Sequence, residues 1–224
     1  MFDSNAELLE SYAASKVPVE RVYQFETLNV DGYECPWCGG TDRERLYAMY
    51  LKERLASRTD CTMRVLDIAP GGRLRHWLVN ASRVDYRSAD LYREDVDDRI
   101  DVQNMSSYAD ESFDIVVCSH VLEHVPDDRM AMREVYRILA PNGWAIMMVP
   151  IPIDQTETDE DPEVTDPVER VRRFDQVDHL RRYSGADFVA RLAETGGTVL
   201  RLTSDHFGQQ EFEKRGIQQR SVLY

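Results

Sequence analysis

No run in this sequence approaches the roughly 20 consecutive apolar residues that a membrane-spanning helix needs. The N-terminus, MFDSNAELLESYAASK, has neither the basic start nor the apolar core of a secretory signal. Together the two absences make a cytoplasmic protein the expectation, with no membrane partner. Positive charge is short as well: 41 acidic residues face 27 basic ones, for a net charge of −14. A surface this negative repels phosphate backbones and argues against nucleic acid as a partner. The one dense basic cluster, Arg170, Arg172, Arg173, Arg181 and Arg182, is interleaved with Glu169, Asp175 and Asp178. It reads as a solvated, salt-bridged surface.

Cysteine is too sparse for a disulfide framework, which a cytoplasmic chain of this size does not need. Cys118 lies in the apolar run FDIVVCS and reads as a small buried hydrophobe. Cys35-Pro36-Trp37-Cys38, followed by Gly39-Gly40, looks like half of a zinc ribbon. The second pair is missing, Cys61 is the one unassigned thiol, and His76 is remote. Zinc at Cys35 and Cys38 is therefore a weak candidate, a redox turn a weaker one, and a packing turn that seats the next helix the favoured reading. No internal repeat is visible.

What is present suits one α/β domain of 224 residues. Residues 1–60 read as an N-terminal extension: a mixed stretch, the cysteine turn, then a helix. Thr41 and Glu44 make its capping box, and Leu46, Met49, Tyr50 and Leu55 share a face to an end near Ser57. Residues 61–224 alternate short apolar runs with helical patterns, as βαβ units do. RVLDIA (64–69) is a buried strand that breaks at Pro70-Gly71-Gly72, before a helix with Leu74, Trp77 and Leu78 inward. RVDYRSAD (83–90), a weak strand near 99–102 and FDIVVCS (113–119) follow. Pro126-Asp127-Asp128 opens a helix running to about Leu139 that is ended by Asn142-Gly143, and WAIMMVP (144–150) is the fifth strand. Residues 151–183 read as a loop-rich insertion, and Ser184 with Asp187 caps another helix. TVLRLT (198–203) and RSVLY (220–224) complete a seven-strand, mostly parallel sheet. The sequence stops inside the last strand, so a few further residues are expected.

In doubly wound sheets ligands bind outside the carboxyl ends of the strands, where strand order reverses. The first strand and its turn read Val65-Leu66-Asp67-Ile68-Ala69-Pro70-Gly71-Gly72. Glycines let a ligand approach the backbone closely, and the acid ahead of them is the informative residue. A dinucleotide fingerprint, GxGxxG, offers a diphosphate the N-terminus of a helix, and it is absent here. A carboxylate at this spot repels a diphosphate but suits a ligand bearing an amine and a sulfonium.

These residues resemble the first motif, D/E-x-G-x-G-x-G, of class I (Rossmann-like) S-adenosylmethionine-dependent methyltransferases. The resemblance continues through Asp90, the Asp101 segment, FDIVVCSHVLEHV and REVYRILAPNGW, over roughly residues 62–150. Each piece alone is weak; four in order at the family's spacing are specific. Ala69 and Pro70 depart from the family's glycine loop, which implies tighter packing on the cofactor. The resemblance implies S-adenosyl-L-methionine as cofactor, with Asp67, Ala69, Pro70, Gly71 and Gly72 facing its methionine part. It further implies Asp90 and Leu91 at the ribose hydroxyls, and Asp101 and Val102 at the adenine amino group. Met105 would pack on the ring, and Ser119 and His120 would border the sulfonium. Read from the residues alone, Asp67 could instead cap its turn, and Asp90 and Asp101 could be solvated acids.

The implied reaction needs a base only if the acceptor must lose a proton. His120 and His124 flank Glu123 in H-x-x-E-H, a spacing that zinc hydrolases use. The segment reaches Pro126 after barely one turn and offers no third ligand, so no metal is expected there. His124 reads as fixing the loop. Class I enzymes commonly close the acceptor pocket with the insertion that holds Asp178-His179. The favoured reading makes His179 the general base or an acceptor-orienting residue, with Asp178 beside it; the alternative is a purely structural histidine. The acidic run Asp154 to Asp166 reads as a solvated loop rather than a cation site. The resulting expectation is methylation of an oxygen or nitrogen of a small polar molecule, such as a sugar or natural product. A silent cofactor-binding regulatory subunit and a nicotinamide-dependent dehydrogenase are its rivals, and oligomeric state does not follow.

Overall fold

Strand β1 (Met63–Ile68) is buried along almost its whole length, as its run of apolar residues requires of a central strand in a parallel sheet. The computed structural model describes residues 6–14, 17–57 and 61–224. Alongside β1 lie β2 (Val84–Asp90), β3 (Asp98–Arg99), β4 (Phe113–Ser119) and β5 (Leu139–Met148). Their order is β3-β2-β1-β4-β5, every pairing parallel. Strand order therefore reverses between β1 and β4. Ile68 is level with Ala89 and with Cys118, so Ala69, Asp90 and Ser119 emerge along one carboxyl edge.

Among the described residues the main sheet has five strands, not the expected seven. Segments 198–203 and 220–224 meet only at Leu202 and Leu223, whose amides and carbonyls exchange two bonds of 2.9 Å. Thr203 accepts a bond from the amide of Asp205 and caps a short helix, which turns the chain away before a strand can extend. Tyr224 still reaches the sheet, accepting a bond from the Met147 amide at 2.9 Å. Asn142-Gly143 does not end a helix either. The preceding helix stops at Ile138, and β5 runs through Asn142 at φ 65° with an irregular register opposite Phe113 and Ile115. A Cβ on Gly143 would lie 2.8 Å from the Ala140 carbonyl, so this bulge requires glycine.

Helices α1 (Ala6–Ala14), α2 (Asp42–Ala56), α3 (Gly72–Val79) and α4 (Asp128–Ile138) precede the insertion. The insertion itself is more ordered than its composition implies. It holds an antiparallel pair, β6 (Asp159–Glu160) with β7 (Arg181–Arg182), and α5 (Pro167–Phe174). Asp166 caps α5 and Pro167 opens it, a start signal hidden among acids. Four of the five clustered arginines are held in ion pairs, Arg172 with Glu169, Arg173 with Asp159 and Asp161, Arg181 with Glu160, and Arg182 with Asp175, while Arg170 bonds the Val164 carbonyl. The N-terminal segment also belongs to the body of the protein. Tyr12, Val22, Phe25, Leu28 and Val30 bury themselves with Val171 of α5, and the Glu26 amide bonds the Ile151 carbonyl at 2.8 Å. Among the described residues no helix is long and apolar enough to cross a membrane.

Candidate active site

Two acids converge on the turn after β1. Asp67 is 2% exposed, and burial pushes its carboxyl up to about 7 even though Tyr86 donates a 3.0 Å hydrogen bond to it. The second acid is Glu44 of α2. The N-cap of helix α3 is Gly71, which has no side chain to cap it, and Glu44 does so from outside. Its Oε1 accepts the Arg73 and Leu74 amides, each at 2.9 Å, and Oε2 accepts the Thr41 amide at 2.9 Å. A carboxylate therefore occupies the place where a dinucleotide-binding turn receives its diphosphate. The dehydrogenase reading loses its phosphate site. Beside these acids lies a cavity of about 310 Å³, lined among others by Arg43, Glu44, Tyr47, Asp67, Gly71 and Ser119. Ser119 pairs with the Tyr47 hydroxyl at 2.8 Å. Ala69 stands at φ 52°, a left-handed conformation that explains why a glycine is usual there. Ala69 also lines the cavity with Gly72, whereas Pro70 contributes its carbonyl to Arg93 at 2.7 Å.

Further along the edge, Asp90 Oδ1 accepts the amides of Tyr92 and Arg93 at 2.7 and 3.0 Å. It organises its own loop through Oδ1, with Leu91 exposed next to it. Asp101 is held by the backbone and side chain of Gln103. Val102 is 5% exposed and Met105 0%. Both pack in the core, and the Met105 amide bonds Glu134 at 2.7 Å.

A second cavity, of about 170 Å³, lies across the wall formed by Arg43 and His120, which line both spaces. Tyr12, Tyr33, Asp175 and His179 are among its other lining residues. His120, at φ 57°, meets Arg43 through Nε2 and lies 3.2 Å from Glu123 through Nδ1. Arginine only donates, so Nε2 accepts and is committed, while Nδ1 faces Glu123 without a completed hydrogen bond. Burial and the Arg43 charge push His120 down to about 4. His179 is 2% exposed; its Nδ1 bonds the Phe174 carbonyl at 2.7 Å, and its buried Nε2 has no partner. Asp178 makes no hydrogen bond to the His179 ring. The chain turns it the other way, and its Oδ2 lies 3.3 Å from Nδ1 of His124.

The cysteine turn gains no further ligand. The Gly39 amide bonds the Cys35 carbonyl at 2.7 Å and the Cys35 amide the Gly40 carbonyl at 3.0 Å, a tight knuckle with Gly39 at φ 65°. Cys38 and Cys61 are exposed, and among the described residues no candidate metal cluster includes a cysteine. Sequence reasoning missed Arg43, Glu44, Tyr47 and Tyr12. The capping box had marked Glu44 as a helix start, but its bonds to α3 are long-range and leave no local pattern.

Residues 41–202 match the family described as a methyltransferase domain. Over 83 residues the chain is 30% identical to YcgJ of Bacillus subtilis (strain 168), described as an uncharacterized methyltransferase. That match spans 37% of this chain and 30% of that protein. The crystal structure of the Bacillus subtilis YcgJ protein aligns over 77% of this chain and 79% of that one, with 21% identity and a TM-score of 0.44. The CurJ carbon methyltransferase aligns over 71% of this chain and 48% of that one, with 14% identity and a TM-score of 0.51. The last likeness is one of fold alone.

Proposed function

The chain belongs to the methyltransferase-domain family, and from that premise we propose that it moves a methyl group from S-adenosylmethionine to an oxygen or nitrogen of a small polar acceptor. One observation carries the donor half: Asp67 and Glu44 present two carboxylates at the glycine turn while the α3 amides are already taken. That donor set fits a ligand with an amine and a sulfonium, and no diphosphate. Asp67 and Glu44 would hold the ammonium end, and Oδ2 of Asp90 the ribose hydroxyls. When bound, S-adenosylmethionine supplies a methyl carbon activated by its positive sulfur. Arg43 stands between the cavities, where it meets a carboxylate of either ligand.

The acceptor half rests on the smaller cavity. Its size and its closure by Tyr12 and Tyr33 suit a compact molecule rather than a polymer strand. His179 is its acceptor-orienting residue, the one histidine there with an uncommitted nitrogen. The chain's contribution is placement, which in favourable systems lowers a barrier by about 7–11 kcal/mol. Calorimetry with S-adenosylhomocysteine and with NAD tests the donor half: binding is expected for the first and none for the second. Silence toward both the donor and its demethylated product at millimolar concentration would sink the proposal.

A further inference from the structure

The loop after β4 carries His120, Glu123 and His124, and residues 178–181 are laid across it. The Leu180 amide bonds the Glu123 carbonyl at 2.8 Å. Arg181 donates to the carbonyls of Leu122, Val125 and Pro126 at 2.7, 2.6 and 2.9 Å. These bonds fix two distant segments against each other through the backbone. As a result one ligand atom from each of Glu123, His124 and His179 lies within 4.8 Å of the others, the only such group among the described residues.

The ring tautomers point the same way. His179 donates Nδ1–H to the Phe174 carbonyl at 2.7 Å, so the lone pair is on Nε2, which is buried without a partner. Asp178 Oδ2 lies 3.3 Å from Nδ1 of His124, which turns Nε2 of His124 toward Glu123 Oε1 at 3.9 Å. Glu123 is 1% exposed, and neither of its oxygens completes a hydrogen bond. Lone pairs facing a buried carboxylate repel, and a cation between them would satisfy all three groups. Metal-ligating histidines typically give their other N–H to a carbonyl or carboxylate. Both rings have such a group in place here.

We infer that Glu123, His124 and His179 bind a divalent first-row transition-metal ion at the wall of the acceptor cavity. Two imidazoles and one carboxylate suit Zn²⁺, Fe²⁺, Mn²⁺ or Co²⁺ over Mg²⁺ or Ca²⁺. Three protein ligands leave open positions, and because His179 also lines the cavity, an acceptor oxygen is the fitting occupant. That role rests on the methyl-transfer reading; the ion site itself does not. The expectation of no metal at H-x-x-E-H is revised because the third ligand comes from the insertion, where the fold delivers it.

Chelator-stripped protein titrated with Co²⁺ and Zn²⁺ tests the inference. The expected result is one equivalent bound, with visible Co²⁺ bands and no sulfur-to-metal charge-transfer band of the kind Cys35 and Cys38 would give. His179→Ala and Glu123→Gln should lose affinity for Co²⁺ by about a hundredfold or more, and Asp178→Asn by about tenfold. Unchanged circular dichroism of the variants shows that they fold. Absence of stoichiometric binding by the wild-type protein, a thiolate band, or folded variants that bind Co²⁺ as tightly as wild type would each overturn it. Should a variant unfold, wild-type stoichiometry and spectrum decide alone. Protein that binds Co²⁺ this way but ignores S-adenosylhomocysteine keeps the ion site and loses the donor reading.

Discussion

At the scale of single residues, Asp67 links stability to ligand binding. Its carboxyl sits at about 7 in the fold against 3.8 as the ordinary value, chiefly through burial. The folded state thus holds a proton that the unfolded chain has released. The stability this contributes is complete below pH 3.8 and is lost progressively as pH rises toward 7. Asp67→Asn escapes that loss. Without ligand, its melting temperature should pull ahead of wild type between pH 4 and 7 and keep a constant lead above. Donor binding should run the opposite way, because a cationic ligand needs the ionised form. Wild-type affinity should rise as pH passes about 7 and then level off, while the variant stays flat and about tenfold weaker at pH 8. Parallel pH curves for the two proteins would remove Asp67 from the site. Asp67 was legible in the sequence because an acid just before paired glycines is a local pattern. The burial of Met105 was not legible, because spacing alone cannot say which face of a loop turns inward.

At the scale of elements, the strands that frame the site could be read from their apolar runs: β4 has the bounds that FDIVVCS drew. The helix α5 could not, since its apolar residues are few and its acids resemble a loop. The last two expected strands failed for the opposite reason, as alternation was present but a cap at Thr203 diverted the chain. Contacts between elements were least legible, and Glu44 is the clearest case. It completes the capping box of α2 and supplies the N-cap that Gly71 cannot give α3. Removing it should therefore affect two helices at once. Glu44→Ala is expected to cost about 1–2 kcal/mol, seen as a melting temperature lower by roughly 2–8 °C in a protein of this size. Affinity for S-adenosylhomocysteine should fall in the same variant. A loss of stability with unchanged ligand affinity would confine Glu44 to capping and return the donor site to Asp67 alone.

At the scale of the whole molecule, the net charge of −14 and the proposed cationic donor belong together. Four of the five arginines of the basic cluster are spent on ion pairs, so the field around the proposed donor cavity is set by the acidic excess. Such a field attracts cations over about one Debye length, about 10 Å at 0.1 M salt and about 3 Å at 1 M. S-adenosylmethionine carries one more positive charge than its demethylated product, and the two differ little otherwise. Raising salt from about 0.01 to 1 M should therefore weaken the donor more than the product, narrowing the ratio of their affinities by calorimetry. The part of that ratio surviving at high salt measures the short-range contacts, because a carboxylate as buried as Asp67 is poorly screened. A ratio independent of salt would mean that the surface charge has no part in choosing the donor and that discrimination is entirely local to the glycine turn.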